Sequence, residues 1–85
     1  MRPTLLVVDD EIEMLWFIGE IFSGDFNVVT CRTERVEQVM NEVYPNVIIC
    51  DVMMPGIGGI ELTRRIKAVK ETAHIPIIIV SGRHE

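Results

Sequence analysis

Four short apolar runs divide the chain, and each is followed by polar residues or glycine. They cover residues 4–8, 26–31, 47–51 and 77–80. The third run is continuous and β-branched up to Asp51, and it is followed by Pro55 and three glycines. A short apolar run of this kind, stopped by proline and glycine, is typical of a strand buried on both faces. The pattern therefore predicts four strands.

The stretches between these strands repeat apolar residues at helical spacing, so each predicts an amphipathic helix. Thr33 is a candidate N-cap of the second helix, which should stop before Pro45. The third helix is expected over residues 59–70, with its basic residues outward. The predicted inward stripes are Met14, Phe17, Ile18 and Ile21, then Val36, Val39, Met40 and Val43, then Leu62, Ile66 and Val69.

Strands and helices alternate strictly, which predicts an α/β fold with a parallel sheet and helices on both faces. A parallel sheet collects the carboxyl ends of its strands at one edge, and ligands of such folds bind there. Asp9, Asp10, Asp51 and Ser81 each follow or end a predicted strand. The sequence therefore predicts that these four side chains share one edge.

Composition narrows the classes of function that the chain can have. A length of 85 residues fits one small domain, and a net charge of −5 argues against binding nucleic acid. Cys31 and Cys50 are too few and too far apart for a zinc site or a disulfide framework, so they are expected to be buried, reduced thiols. The first apolar run is too short for a signal peptide or a membrane span. A cytoplasmic location without membrane contact is predicted.

Carboxylates gathered at one edge repel each other by roughly 3 kcal/mol per pair at about 5 Å, for an effective dielectric constant near 20. A small domain has little stability to spare for such repulsion. A bound cation would offset it, and oxygen ligands without His or Cys favour Mg²⁺. In the alternative reading, Asp9 and Asp10 only stabilise the start of the first helix, and Asp51 only caps a turn.

Three segments together resemble the receiver domain of two-component response regulators: LLVVDDE at residues 5–11, VIICDVMMPGIGGIEL at 47–62 and HIPIIIVSG at 74–82. The resemblance implies a flavodoxin-like, doubly wound sheet with strand order 2-1-3-4. It implies that Asp51 accepts a phosphoryl group from a histidine kinase or a histidine phosphotransfer domain. Asp10, Asp51 and the backbone carbonyl of Met53 would bind Mg²⁺, with Asp9 reaching it through water, and Ser81 would be the switch hydroxyl.

The same resemblance implies that residues 1–85 are the N-terminal portion of a receiver. The fifth strand of the family, the Lys before it and the final helix are not in this sequence. Gly58 and Gly82 also depart from the residues that are usual at their positions. The His-Ile-Pro sequence at residues 74–76, which leads into the fourth strand, is similar to receivers of hybrid histidine kinases. It is a weaker signal for the parent protein. Without a fifth strand, the fourth becomes an apolar edge, and self-association through that edge is expected.

The first helix carries a second apolar stripe, formed by Ile12, Leu15, Trp16 and Gly19. In receivers this helix docks the histidine donor, so Trp16 and Leu15 are a candidate docking surface. In the alternative, Trp16 folds down over the edge of the domain.

Two other functions are compatible with parts of the pattern. A phosphatase of the haloacid-dehalogenase kind shares the aspartate nucleophile and Mg²⁺, but it needs a second Asp where this chain has Met53. An interaction module would keep the receiver fold without accepting a phosphoryl group. The leading prediction is a phosphoacceptor signalling domain rather than an enzyme.

Overall fold

The computed structural model describes residues 2–51 and 57–80, and their fold is an α/β sandwich around a parallel sheet. In chain order the elements are β1 (Thr4–Val8), α1 (Ile12–Phe22), β2 (Asn27–Cys31), a 3-10 turn (Thr33–Arg35), α2 (Val36–Val43), β3 (Val47–Asp51), α3 (Gly59–Ala68) and β4 (Ile77–Val80). All strand pairs are parallel, and the sheet order is β2-β1-β3-β4. The predicted fold class and strand order are confirmed.

Alternation of side chains along β1 divides the core into two layers. Leu6 and Val8 belong to the larger cluster, which is completed by side chains of α2 and α3. Leu5 and Val7 point to the opposite face and belong to a smaller cluster with Leu15 of α1. The sheet is therefore covered by α2 and α3 on one face and by α1 on the other.

The predicted inward stripe of α1 is partly wrong. Phe17 is 56% exposed and Ile21 is also exposed, whereas Leu15 is only 7% exposed. Both stripes of this helix are apolar, so the spacing alone could not choose between them. The helix contacts β1 and β2, and the side of α1 that carries Leu15, Ile18 and Phe22 therefore packs on the sheet.

Two boundary predictions also need correction. Thr33 is the first residue of the 3-10 turn before α2, and the N-cap position of α2 is Arg35. The third helix ends at Ala68, and Val69 adopts an extended conformation. Val69 is therefore exposed and does not extend the inward stripe of Leu62 and Ile66.

The second helix ends as its sequence predicts, before Pro45. Tyr44 adopts a left-handed conformation (φ 48°), and its N–H donates to the carbonyl of Met40 at 3.1 Å. This closes the helix with a residue type that rarely adopts positive φ.

Both cysteines are free and buried, as predicted. Cys31 on β2 and Cys50 on β3 both pair in register with Val8 of β1. The two cysteines therefore lie two strand spacings apart, with Val8 between them. Burial raises the pKa of both thiols to about 11. Among the described residues, no helix is long and apolar enough to cross a bilayer.

Candidate functional site

The site lies where β1 and β3 end side by side. Val8 pairs with Cys50 across the two strands, so the residues that follow them, Asp9 and Asp51, lie at the same level along the sheet. Asp51 is the last residue of β3 and pairs with Val80 of β4. The N–H of Asp9 still donates to the carbonyl of Cys31 on β2, at 3.2 Å. This bond anchors Asp9 to the sheet, and the two carboxylates are therefore held by adjacent strands.

Both of these aspartates are buried, Asp9 at 4% and Asp51 at 6% exposure. Their carboxylate oxygens and one of Glu11 lie within 4.8 Å of one another. Glu11 is exposed at the rim of this group. The structure thus brings Asp9 and Asp51 together, as the sequence predicts, and adds Glu11.

Sequence reasoning did not assign Glu11 to the site, although it is the third acid of the run after β1. The N–H of Glu11 donates to Oδ1 of Asp9 at 3.0 Å. That bond folds the chain back over Asp9 before α1 begins. A hydrogen bond from a backbone N–H to the side chain of an Asp two residues earlier is an Asx turn. The tendency of Asp9 to form such a turn is the local signal that could have indicated the position of Glu11.

The pKa of Asp9 is raised above its ordinary value, chiefly because burial penalises the charged form. The hydrogen bond from Glu11 opposes this shift, and the negative charge of Asp51 adds to it. The protein neighbours of Asp9 therefore do not fully offset the cost of burying its negative charge.

Asp10 lies apart from this group. Its Oδ1 accepts hydrogen bonds from the hydroxyl of Thr33 at 3.1 Å and from the N–H of Thr33 at 3.4 Å. Its role as a direct metal ligand stays a prediction. Met53 and Ser81, the other two predicted site residues, lie outside the described residues.

The donor set fits a hard divalent cation. Asp9, Glu11 and Asp51 offer carboxylate oxygens, which suit Mg²⁺ better than a soft transition metal. The pKa of Asp9 is raised mainly by burial and further by the charge of Asp51, and a cation would favour the ionised form against both effects. One or two carboxylates with water and a phosphate oxygen are the usual ligands of protein-bound Mg²⁺.

An apolar cavity of about 400 Å³ adjoins the two aspartates on the face of the sheet that α1 covers. Phe17 of α1 and Ile78 and Val80 of β4 contribute to its wall, beside Asp9 and Asp51. The outer surface of α1 is also apolar, with Ile12 and Trp16 exposed.

The candidate docking surface on α1 stays a prediction for Trp16 and needs correction for Leu15. Trp16 is 66% exposed, which suits a docking residue and contradicts the alternative in which it folds down. Leu15 is buried against the sheet and cannot contact a partner, because α1 is rotated relative to the predicted orientation.

The family model and the curated relatives that this chain matches point to the same protein family. Residues 5–85 match the family model for the response regulator receiver domain. The phosphate regulon transcriptional regulatory protein PhoB of Rhizobium meliloti is 36% identical over 87 residues, covering 100% of this chain and 38% of PhoB. The sensor histidine kinase TmoS of Ectopseudomonas mendocina is 32% identical over 83 residues, covering 96% of this chain and 8% of the kinase.

Solved structures agree in fold. The N-terminal domain of a response regulator receiver protein from Methanoculleus marisnigri JR1 superposes with a TM-score of 0.90 at 25% identity, over 100% of this chain and 71% of that one. The chemotaxis response regulator CheY4 of Vibrio cholerae gives a TM-score of 0.86 at 22% identity, over 100% and 72% of the two chains. At this identity CheY4 supports the fold alone.

Proposed function

We propose that this chain, which belongs to the response regulator receiver domain family of two-component signalling, accepts a phosphoryl group on Asp51. The observation that carries the proposal is the convergence of Asp9, Glu11 and Asp51 at the carboxyl edge of a parallel sheet. In such sheets this edge is the usual ligand-binding position.

In the proposed reaction, a carboxylate oxygen of Asp51 attacks the phosphorus of a phosphohistidine on the donor. A P–O bond to Asp51 forms as the P–N bond breaks, and the departing imidazole nitrogen keeps the electron pair of that bond. Asp51 suits this role because its position is fixed by its own pairing with Val80 of β4 and by the pairing of the preceding Cys50 with Val8 of β1. Its burial also limits the access of water to the acyl phosphate that results.

The transferred group adds about −1.5 to −2 charges to an edge that already holds three carboxylates. We propose that Asp9, Asp10 and Asp51 hold a Mg²⁺ ion, with the backbone carbonyl of Met53 as a further ligand. A bound Mg²⁺ supplies charge neutralisation for the phosphoryl oxygens during transfer. Glu11 is a candidate additional acid at the rim. Ser81 is proposed as the hydroxyl that binds the phosphoryl oxygen.

The proposed partner is a histidine kinase or a histidine phosphotransfer domain. Ile12 and Trp16 form an exposed apolar surface on α1, which begins three residues after Asp9. A donor bound there would stand next to the phosphoacceptor. Exposed aromatic residues are the type most often found as energetic anchors of interfaces.

The chain spans between 6% and 38% of the length of the first curated relatives that it matches. Residues 1–85 are therefore proposed as the N-terminal portion of a receiver that belongs to a regulator or to a hybrid histidine kinase. Free thiols at Cys31 and Cys50 support a reducing, cytoplasmic location.

The proposed function is tested by incubating the protein with acetyl phosphate and Mg²⁺ and measuring the mass increase of one phosphoryl group. Wild type is expected to be labelled and Asp51→Asn to be unlabelled. Asp10→Asn should be labelled at saturating Mg²⁺ but should need more Mg²⁺ for half-maximal labelling. Asp25→Asn is the matched control, because Asp25 is an exposed acid in the turn before β2.

Full labelling of Asp51→Asn would show that another group is the acceptor. Absence of labelling in wild type, in a folded sample, would instead favour an interaction module that keeps the fold without phosphorylation.

A further inference from the structure

The two aspartates that follow β1 are directed toward different neighbours of that strand. β1 lies between β2 and β3 in the sheet. Asp9 groups with Asp51 at the end of β3, whereas Asp10 accepts hydrogen bonds from Thr33, two residues after the end of β2. The proposed metal ligands are thus divided between the two sides of β1, with Asp9 and Asp51 on one side and Asp10 on the other.

The contact between Asp10 and Thr33 rests mainly on the Thr33 hydroxyl, because the distance from the Thr33 N–H is near the limit of a hydrogen bond. Thr33 is 8% exposed, and its hydroxyl and its N–H both donate to the same oxygen, at 3.1 Å and 3.4 Å. Hydrogen bonds to a charged acceptor are stronger than those between neutral groups, and more so when they are partly shielded from water. The carboxylate of Asp10 therefore has a competing partner when it is not bound to a metal.

We propose that Thr33 is a positioning residue that holds Asp10 away from the metal site, so that Mg²⁺ must displace the Thr33 donors to recruit this carboxylate. The inference rests on the proposed function, because it assumes that Asp10 is a metal ligand. A protein that must first leave a stable conformation binds its ligand more weakly in proportion to the population of the competent state. The Thr33 hydroxyl therefore lowers the affinity for Mg²⁺.

The same contact links metal binding to the helix that follows. Thr33 is the first residue of the 3-10 turn Thr33–Arg35, which leads directly into α2. When Asp10 turns toward the metal, the hydrogen bond from the N–H of Thr33 to Oδ1 of Asp10 is broken. The start of the α2 segment should then respond to Mg²⁺, although Thr33 does not itself contact the ion.

The first experiment compares two substitutions by isothermal titration calorimetry with MgCl₂ at constant ionic strength. Thr33→Val keeps the size and β-branching of the side chain and removes the hydroxyl, whereas Thr33→Ser keeps the hydroxyl. We expect Thr33→Val to bind Mg²⁺ about three- to tenfold more tightly than wild type, and Thr33→Ser to stay close to wild type. Thr30→Val is the control, since Thr30 is an exposed threonine on β2.

A second measurement uses the wild-type protein and does not depend on any variant being folded. In ¹H–¹⁵N spectra, saturating Mg²⁺ should shift the amide resonance of Thr33 and speed its exchange with solvent, relative to a sample in EDTA. A residue that only stabilises the fold would keep its amide unchanged. Urea unfolding of Thr33→Val in EDTA records any separate effect on stability.

The outcomes distinguish the two levels of the proposal. If wild type binds Mg²⁺ but Thr33→Val binds it equally or more weakly, or if the Thr33 amide does not respond, the positioning role is refuted while the metal site stands. If wild type binds no Mg²⁺, the metal site itself fails, and the role of Thr33 fails with it.

Discussion

Replacing Asp9 by Asn should stabilise the metal-free protein, even though Asp9 is one of the most buried polar residues of the site. Asp9 and Asp51 have oxygens within 4.8 Å of one another. At that separation and an effective dielectric constant of about 20, two unit charges repel by about 3 kcal/mol. The raised pKa of Asp9 agrees in direction, since burial and the charge of Asp51 both disfavour its ionised form.

The substitution also has a cost, which sets the net magnitude. The carboxylate of Asp9 accepts a hydrogen bond from the N–H of Glu11. The amide oxygen of Asn can keep this bond, but a neutral acceptor is weaker by about 1 kcal/mol. We therefore expect Asp9→Asn to raise the free energy of unfolding in EDTA by about 1–2 kcal/mol at neutral pH.

The sign of the pH dependence follows from the direction of the pKa shift. Because the pKa of Asp9 is higher in the folded than in the unfolded protein, the folded state binds more protons between the two values. The stability of wild type therefore falls as pH rises through the raised pKa. The advantage of Asp9→Asn should be full above the raised pKa of Asp9 and should vanish below the ordinary titration range of aspartate.

Urea unfolding followed by circular dichroism measures this effect, once in EDTA and once in excess Mg²⁺. Mg²⁺ should stabilise wild type more than Asp9→Asn, since a ligand that binds only the folded state adds stability in proportion to its affinity. Asp25→Asn makes the same change in net charge at an exposed position and should have little effect. If Asp9→Asn is less stable than wild type in EDTA, repulsion between Asp9 and Asp51 is not the dominant interaction at this edge.

Three further predictions test the surfaces and the core. Trp16→Glu should slow phosphoryl transfer from a histidine donor by about tenfold or more and leave labelling by acetyl phosphate unchanged. The control Ile60→Glu, at an exposed position of α3, should change neither rate, and equal losses in both assays would indicate damaged folding. Ile78→Lys should keep the chain monomeric in sedimentation equilibrium where wild type self-associates through β4, with Ile60→Lys as control, and a constant monomer mass for wild type would refute the association. Leu15→Ala should destabilise the protein by about 2–4 kcal/mol and Ile21→Ala by under about 1 kcal/mol, whereas similar losses would contradict the orientation of α1.

The self-association prediction has a structural basis in the position of β4. Within residues 2–51 and 57–80, β4 is an edge strand of the sheet, and Ile78 is 50% exposed. An uncharged apolar edge presents unpaired N–H and C=O groups to any similar strand. Two copies could pair their β4 strands antiparallel across a two-fold axis, and a lysine at Ile78 would place a charge at the junction.

Much of the fold could be read from the sequence, because it depends on local patterns. The run from Val47 to Asp51 is apolar and continuous, and this alone indicates a buried strand. Strict alternation with helices then requires a parallel sheet, since each crossover returns the chain to the same starting end. The meeting of Asp9 and Asp51 follows from that geometry, as both directly follow or end such strands.

The sequence could not decide a feature where two arrangements fitted the local pattern equally well. In α1, two apolar stripes satisfy the helical period, and only the position of the helix over β1 and β2 selects Leu15 over Phe17 for the core. At the site, adjacent acids share one edge in the sequence pattern. In the structure Asp9 lies beside Asp51, whereas Asp10 binds Thr33. This difference depends on which strand lies on each side of β1. Burial and hydrogen bonding across the sheet are long-range properties, and tertiary structure therefore determined which face of α1 is buried and which partner each of these aspartates meets.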